Sequence, residues 1–590
     1  MSRRHSGQES SLLGFRKAIA SHLSSVLDQS SETLLPLVQQ NTSHRKGSHS
    51  VFSVAIKRLC GGSDLDESIR EKCLELSLPE VKELIARVRL TKDMMLFDPV
   101  PLRVLQITTE RIVEDAGGGQ QGGELKERES MEVLGKRERE VKKKVVIVNG
   151  ARVQTDESAY SGLRRTVLTG FVARVLESTS QSVVKVIAEE TYEDIDPRIK
   201  TLYHGLDILK DHLIAPTATA PEAQTHLNTI KNAVQNNQEI RAQVKDSAWL
   251  VDLTSQQLGQ AKLFTASTDG SMDKPTPLVQ TLMSLARHFV EHPCDRYIWM
   301  VPDGRRQFAE QVLYLANIIF PGEGQKEDEE EEPLRKKRIS GASGGCWAQD
   351  IEVLYFGAAT GFDIWNSSSS SSSSKVSTGS SEIVEYTNQR MREIVTKNRG
   401  NPGRGTGYSE MDDDEDNDGG EKELVLNEEE LKRMAGILST SALAVASVGC
   451  KRMRKLTVDM NRILDGKGNS GVFLQYVHSR LCGIERKSKT RLNPDADLSL
   501  VQAYPEALNL SIVLAEWHDT LSALQETLDP YALVPYLFHL AAEVGQANHV
   551  LRVKDMDTAV AEARWLLFWC AKQVLEEGLR LLGLELVERM

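Results

Sequence analysis

The stretch 157–177, ESAYSGLRRTVLTGFVARVLE, follows a β-branched run, KKVVIVNG (143–150), that reads as a buried strand closed by Asn149-Gly150. Strand, turn and helix in that order form a phosphate site when the turn supplies donors, because the helix N-terminus presents free N–H groups and a positive dipole end. This turn carries Ala159, Tyr160, Ser161 and Gly162 instead of cations or imidazoles. His204, His212 and His226 are the histidines that could stand in, but they lie on helical patterns rather than after a strand. The seven cysteines (Cys60, Cys73, Cys294, Cys346, Cys450, Cys482, Cys570) show neither CxxC nor Cys/His spacing. No metal site or disulfide framework is expected, which fits a reducing compartment.

The residues with another kind of chemistry lie near the C-terminus. The formal net charge of −12 argues against a nucleic-acid partner only as an average. Acid is concentrated in EDEEEE (327–332) and MDDDEDNDGGEKE (411–423), both solvated insertions. Between them and the end lie Lys432, Arg433, Lys451, Arg452, Arg454, Lys455, Arg462, Lys467, Arg480, Arg486, Lys487, Lys489 and Arg491, against Asp459, Asp465 and Glu485. Such a segment can neutralise phosphates. Lys451, Arg454 and Lys455 are expected one helical turn apart on one basic face, which on spacing alone serves a phosphate or solvent equally.

The elements that must hold these residues form two blocks. Residues 1–112 mix helical periodicity (SSLLGFRKAIASHLSSVL, PEVKELIARVRL) with a strand-like run, VFSVAIKRL, and read as a small α/β unit. A Gly-rich, charged linker (113–140) leads to 141–400, where three strand candidates (143–150, 296–302, 351–359) alternate with helices and predict a parallel α/β sheet. Insertions at about 323–345 and 366–380 are too polar to bury a core. LRKKRIS (334–340) has the composition of a nuclear-import signal, and a charge-balanced loop is the expected reading. After an acidic linker (401–426), residues 427–590 read as almost continuous helix, with Asn427 as an N-cap before three glutamates. No apolar run spans a membrane and no secretory signal opens the chain, so a cytoplasmic protein is expected.

The runs LTVDMNRI and LDGKGNSGVFLQYVHSRLCGI (464–484), with the ending AEARWLLFWCAKQVLEEGLRLLGLELVERM, resemble the helical anticodon-binding (DALR) domain of arginyl-tRNA synthetases. Less closely, 1–112 is similar to their N-terminal additional domain, and KKVVIVNG, YIWMVPDGRRQF, LYFGAA and KVSTGSS to parts of the class I catalytic domain. The resemblance implies a fold of α/β plus all-α type: a class I, Rossmann-type domain followed by a helical DALR domain. It also implies what is missing. Aligning LRRT with the family's Leu-Arg-Ser-Thr puts Ala159 and Gly162 where the family has its two signature histidines. Lys375 and Thr378 match the second signature, but Gly379 replaces its next basic residue. ARVQTDES and AEETYED stand where the family has its arginine and ATP pocket and a Gly-Asp-Trp-Gly run. No catalytic residues, cofactor or metal are therefore expected.

Carried over position by position, Phe473 takes the place of an aromatic that stacks on an anticodon-loop base, Arg480 that of a loop-contacting arginine, and Met590 that of a terminal methionine closing the site. Asn548 and Arg552 stand where related enzymes offer aromatics, and Arg486 and Lys487 add charge. On spacing alone Phe473 serves equally as a core residue, Arg480 as a helix-terminal ion pair, and Tyr476 and His478 as packing residues. This pattern resembles the DALR anticodon-binding domain-containing protein 3 family. That resemblance implies a non-catalytic adaptor that binds arginine tRNA and presents it to a 3-methylcytidine tRNA methyltransferase acting in the anticodon loop. Two other readings stay open: a divergent arginyl-tRNA synthetase, and a protein-interaction scaffold without RNA.

Overall fold

The computed structural model describes residues 12–40, 51–59, 66–117, 144–149, 159–180, 182–188, 207–210, 221–237, 242–267, 271–292, 294–320, 350–360, 380–399, 427–465 and 468–590, with 202, 240 and 348. The N-terminal unit is an antiparallel sheet of β1 (Gln39–Gln40), β2 (Phe52–Ala55), β3 (Ile85–Leu90) and β4 (Met94–Pro99), in the order β1-β2-β4-β3. The helix Leu13–Leu27 covers it, with Phe15 stacked on Phe52. The run 79–90, expected as one helix, is a helix only to Leu84 and then becomes β3. A bulge between Ile85 and Arg87 puts Ile85 and Val88 on one buried face three residues apart, so a strand imitates helical spacing.

The central sheet is wholly parallel and has five strands, two more than the patterning marked. They are β5 (Lys144–Asn149), β6 (Val183–Ala188), β7 (Asp207–Lys210), β12 (Arg296–Pro302) and β13 (Ile351–Phe356), in the order β13-β12-β5-β6-β7. The chain starts in the middle and winds outward both ways, so the order reverses between β5 and β12. In such sheets ligands bind beyond the strand ends at that reversal. A second, antiparallel sheet, which periodicity did not reveal, comprises β8 (Ala242–Lys245), β9 (Ala248–Leu253), β10 (Gly259–Ala266) and β11 (Met272–Pro275).

Strand β12 shows how the layers are tied. Tyr297, Trp299 and Val301 face a core with the helices Pro277–Glu291 and Arg306–Ile319, while Ile298 and Met300 join a core that continues into the C-terminal helices. Between that second face and those helices lies the helix Ala159–Ser180. Leu163, Val167, Phe171 and Val175, which share one face by their spacing, are buried, but so are Tyr160, Leu168, Val172 and Leu176. It is not an amphipathic surface helix. It is buried nearly all round because it has packing partners on both sides.

The C-terminal block comprises the helices Glu428–Val448, Gly471–Ser488, Pro505–Ala515, Trp517–Thr527, Leu533–Val550 and Thr558–Leu581, with longer connections at 449–470 and 489–504. Asn427 and Glu430 form a reciprocal cap: the Asn427 side-chain Oδ1 accepts from the Glu430 N–H at 2.8 Å, and the Glu430 carboxylate from the Asn427 N–H at 2.9 Å. The N-terminal unit leans on this block through Gln40, which donates to Glu516 at 2.5 Å, and through His518 paired with Asp115 at 2.8 Å.

Candidate nucleic-acid interface

The turn that could hold a phosphate is joined to the C-terminal block. Tyr160 is buried, and burial pushes its phenol up to about 12. Its hydroxyl accepts from Ser447 Oγ at 3.2 Å and donates to the Leu443 carbonyl at 3.4 Å. Ser161 Oγ lies 2.7 Å from the Ala359 N–H and 3.2 Å from its carbonyl. Arg164 is fully buried. Its Nε donates to the Ser447 carbonyl at 3.0 Å, and Nη1 to the carbonyls of Gly357 at 2.6 Å and Arg454 at 2.8 Å. Nη2 donates to the carbonyls of Arg452 at 3.3 Å and Lys451 at 3.4 Å and to Cys450 Sγ at 3.4 Å. Burial lowers the Arg164 pKa, so carbonyl dipoles must hold its charge.

Ala159 begins this helix, and Gly162 has open space where a side chain would stand. Neither position offers a side-chain donor. Lys375, Thr378, Gly379, 150–158 and 189–194 lie outside the described residues, as do His204 and His212. His226 packs edge-on against Phe320 and sits on the helix Pro221–Asn236, not at this turn. Among the described residues, no group of three His, Cys, Asp or Glu side chains could hold a metal, and no helix is long and apolar enough to cross a membrane.

The basic face expected at Lys451, Arg454 and Lys455 has a different origin. The helix ends at Val448, and 451–455 is a turn that leads into β15 (Leu456–Thr457), which pairs in parallel with β14 (Ala359–Thr360). Backbone wiring turns the side chains outward. Besides the Arg164 bonds, the Gly357 N–H donates to the Arg452 carbonyl at 2.9 Å, and the Arg452 guanidinium reaches back to the Tyr355 carbonyl at 2.5 Å. A Cβ on Gly357 would stand 2.4 Å from the Arg454 carbonyl, so only glycine permits this approach. Arg452 is drawn in, while Lys451, Met453, Arg454 and Lys455 are exposed.

A groove of about 330 Å³, its open mouth included, runs between the helices Gly471–Ser488 and Leu533–Val550. The first contributes Phe473, Tyr476, Val477, Arg480, Leu481 and Ile484; the second contributes Ala541, Val544, Gly545 and Asn548. Phe473 and Tyr476 are half-buried, and Arg480 Nη1 donates to the Tyr476 hydroxyl at 3.2 Å. The arrangement is an apolar floor with aromatic edges and one anchored guanidinium. It offers an unstacked base an apolar surface with aromatic edges, and a phosphate one cation at the rim. Arg552, Lys487 and Met590 are exposed and do not line the groove, and Arg486 donates to the Glu588 carbonyl at 3.1 Å.

Comparison with known proteins assigns this region. Residues 474–590 match the family described as the DALR anticodon binding domain. The C-terminal block carries a DALR domain. A probable cytoplasmic arginine–tRNA ligase of Dictyostelium discoideum is 42% identical over 162 residues, 28% of this chain and 27% of the relative. The cytoplasmic arginine–tRNA ligase of Saccharomyces cerevisiae is 30% identical over 247 residues, 41% of this chain and 35% of the relative. A probable cytoplasmic ligase of Schizosaccharomyces pombe is 22% identical over 419 residues, 70% and 57% of the two chains. The chain is thus arginyl-tRNA synthetase-like in sequence, while its matches span about a quarter to just over half of these relatives. In fold, the arginyl-tRNA synthetase of Thermus thermophilus aligns over 98% of this chain and 100% of its own, with a TM-score of 0.56 and 15% identity.

Within the DALR domain the groove's first helix is locked from behind. Gln475 donates to the Glu585 carbonyl at 2.8 Å and accepts from the Val587 N–H at 3.0 Å. The buried His478 bonds through Nδ1 to the Val587 carbonyl at 2.8 Å and through Nε2 to Glu576 at 3.2 Å. Burial opposes its charge, but Cys482 and Glu576 outweigh burial and raise its pKa to about 9. His478 ties down the C-terminal segment through the Val587 carbonyl, while its neighbour Tyr476 is the residue that faces the groove.

Proposed function

We propose that this chain binds arginine tRNA through its DALR domain and does not aminoacylate it. The observation that carries the reading is the turn itself: Ala159 and Gly162 offer no side-chain donor where the resemblance puts the imidazoles, Tyr160 and Arg164 are spent on the C-terminal block and Gly357, and Ser161 on Ala359. Transition-state donors of that kind are each worth about 10²- to 10³-fold in rate. The groove, by contrast, keeps an aromatic edge and an anchored arginine. The family resemblance carries the finer role, an adaptor that presents the bound tRNA to a 3-methylcytidine tRNA methyltransferase in the cytoplasm. A divergent ligase is favoured only by the names of the relatives.

Purified protein tested for arginine-dependent ATP–pyrophosphate exchange and for tRNA retention separates these readings. Retention of arginine tRNAs without exchange supports the proposal, and exchange at a ligase-like rate overturns it. The finer role is tested by measuring 3-methylcytidine in arginine tRNAs after loss of the protein; unchanged modification removes it.

A further inference from the structure

The wired turn at 451–455 faces a second feature, carried by the turn that precedes the helix Leu533–Val550. Tyr531 lies in the short turn Pro530–Ala532 with its ring 43% exposed, and Lys451 Nζ stands 5.9 Å from the ring centroid. One carboxylate fixes both pieces. Asp529 accepts from the Tyr531 N–H at 3.0 Å and from the Arg452 N–H at 3.1 and 3.2 Å. The ring and the cationic turn are therefore held in register through the one Asp529 carboxylate before any ligand arrives. Met453, 42% exposed, lies in the same turn.

We propose that Tyr531, with Lys451, Arg454 and Lys455, is a second RNA contact distinct from the groove, taking one unstacked base on the tyrosine ring and its flanking phosphates on the three cations. An exposed aromatic among cations fits single-stranded nucleic acid, since every base has a π-face and every nucleotide a phosphate. A solvated basic loop needs neither an exposed ring nor Asp529 fixing it. The turn is bonded to Gly357, just past the C-terminal end of β13, and to the helix that follows β5, so the platform adjoins the side of the sheet on which ligands of this topology bind. The groove residues Ala541 to Asn548 lie about 15 to 25 Å farther along the helix from Tyr531. One tRNA can therefore reach both places.

The inference rests on the tRNA-binding reading, and the test keeps the two apart. Full-length protein is titrated with arginine tRNA at several salt concentrations as wild type, Tyr531→Ala, Tyr531→Phe, Lys451→Ala/Lys455→Ala and, for the groove, Phe473→Ala. The expected result is about a tenfold loss for Tyr531→Ala with an unchanged salt slope, and full rescue by Tyr531→Phe. The lysine pair should lower the salt slope by about two. Thermal unfolding should be unchanged for the Tyr531 and lysine variants, because those side chains are exposed. If Phe473→Ala weakens binding but Tyr531→Ala and the lysine pair do not, the platform is overturned and the groove reading stands. If wild type holds no tRNA, both fall.

Discussion

The Arg164 guanidinium lies 2.8 Å from the Arg454 carbonyl, across 290 residues of sequence, and joins the helix after the first sheet strand to the turn before β15. Arg454 is itself a cation whose side chain faces solvent, so one arginine holds the backbone of another and leaves its charge free. Replacing Arg164 with Met would take a donor from the carbonyls of Ser447, Gly357 and Arg454, and leave those of Lys451 and Arg452 with only their backbone donors. The expected loss is about 3 kcal/mol or more, since each bond to a charged donor contributes about 1.5–3 kcal/mol. Lys at 164 should recover little, because its ammonium cannot span acceptors that a planar guanidinium reaches at once. Urea unfolding checks both; a loss under 1 kcal/mol for the Met variant would remove the latch.

Gly357 tests the same joint from the other side. An added Cβ at 2.4 Å from the Arg454 carbonyl must push the turn away from β13. Gly357→Ala is expected to destabilise by about 1–3 kcal/mol, the range for overpacking a well-filled site. It should also raise the rate of proteolysis within 449–457, a readout that a uniform loss of stability elsewhere would not single out.

His478 gives a pH dependence with a definite sign. Its folded pKa is raised to about 9 from 6.5, so the folded state holds the proton more tightly. The associated stability is fully present below about pH 6.5, declines as pH rises, and is gone above about pH 9. Its size is about 3 kcal/mol at most. The difference in urea midpoint between wild type and His478→Gln should shrink steadily over that window. A difference that stays constant from pH 6 to 9 would show that the imidazole is neutral in the folded protein.

Parts of this design were readable in the sequence because they depend on local pattern. KKVVIVNG is a strand since β-branched residues fit a sheet buried on both faces, and Asn427 with Glu430 marks its helix start whatever packs nearby. What Arg164 does could not be read there, because its partners are backbone carbonyls hundreds of residues away and carry no residue-type signal. The turn at 451–455 was misread as helix for a related reason: cations at i, i+3 and i+4 fit a helix, but the chain leaves that path at Gly449 to pair with β14. Tyr476 was set aside as packing and lines the groove; its sequence signal, four residues before Arg480 on one helix, was present.

Asn548 is where the groove departs most from an aromatic-lined site, and it supports a gain-of-function test. It sits on the helix Leu533–Val550 opposite Phe473 and Tyr476, half-buried at the groove's lip. An amide can hydrogen-bond a base edge but offers no π-face. Asn548→Tyr should therefore add stacking area beside the two existing rings and tighten tRNA binding by about 1 kcal/mol, while Phe473→Ala should weaken it by about 1–3 kcal/mol. Both effects should be the same at low and high salt, since neither residue is charged, whereas Arg480→Ala should reduce the salt slope by about one. Filter binding at two salt concentrations reads all three. If Asn548→Tyr weakens binding instead, the amide makes a specific base contact, and the groove selects its nucleotide by hydrogen bonding rather than by stacking.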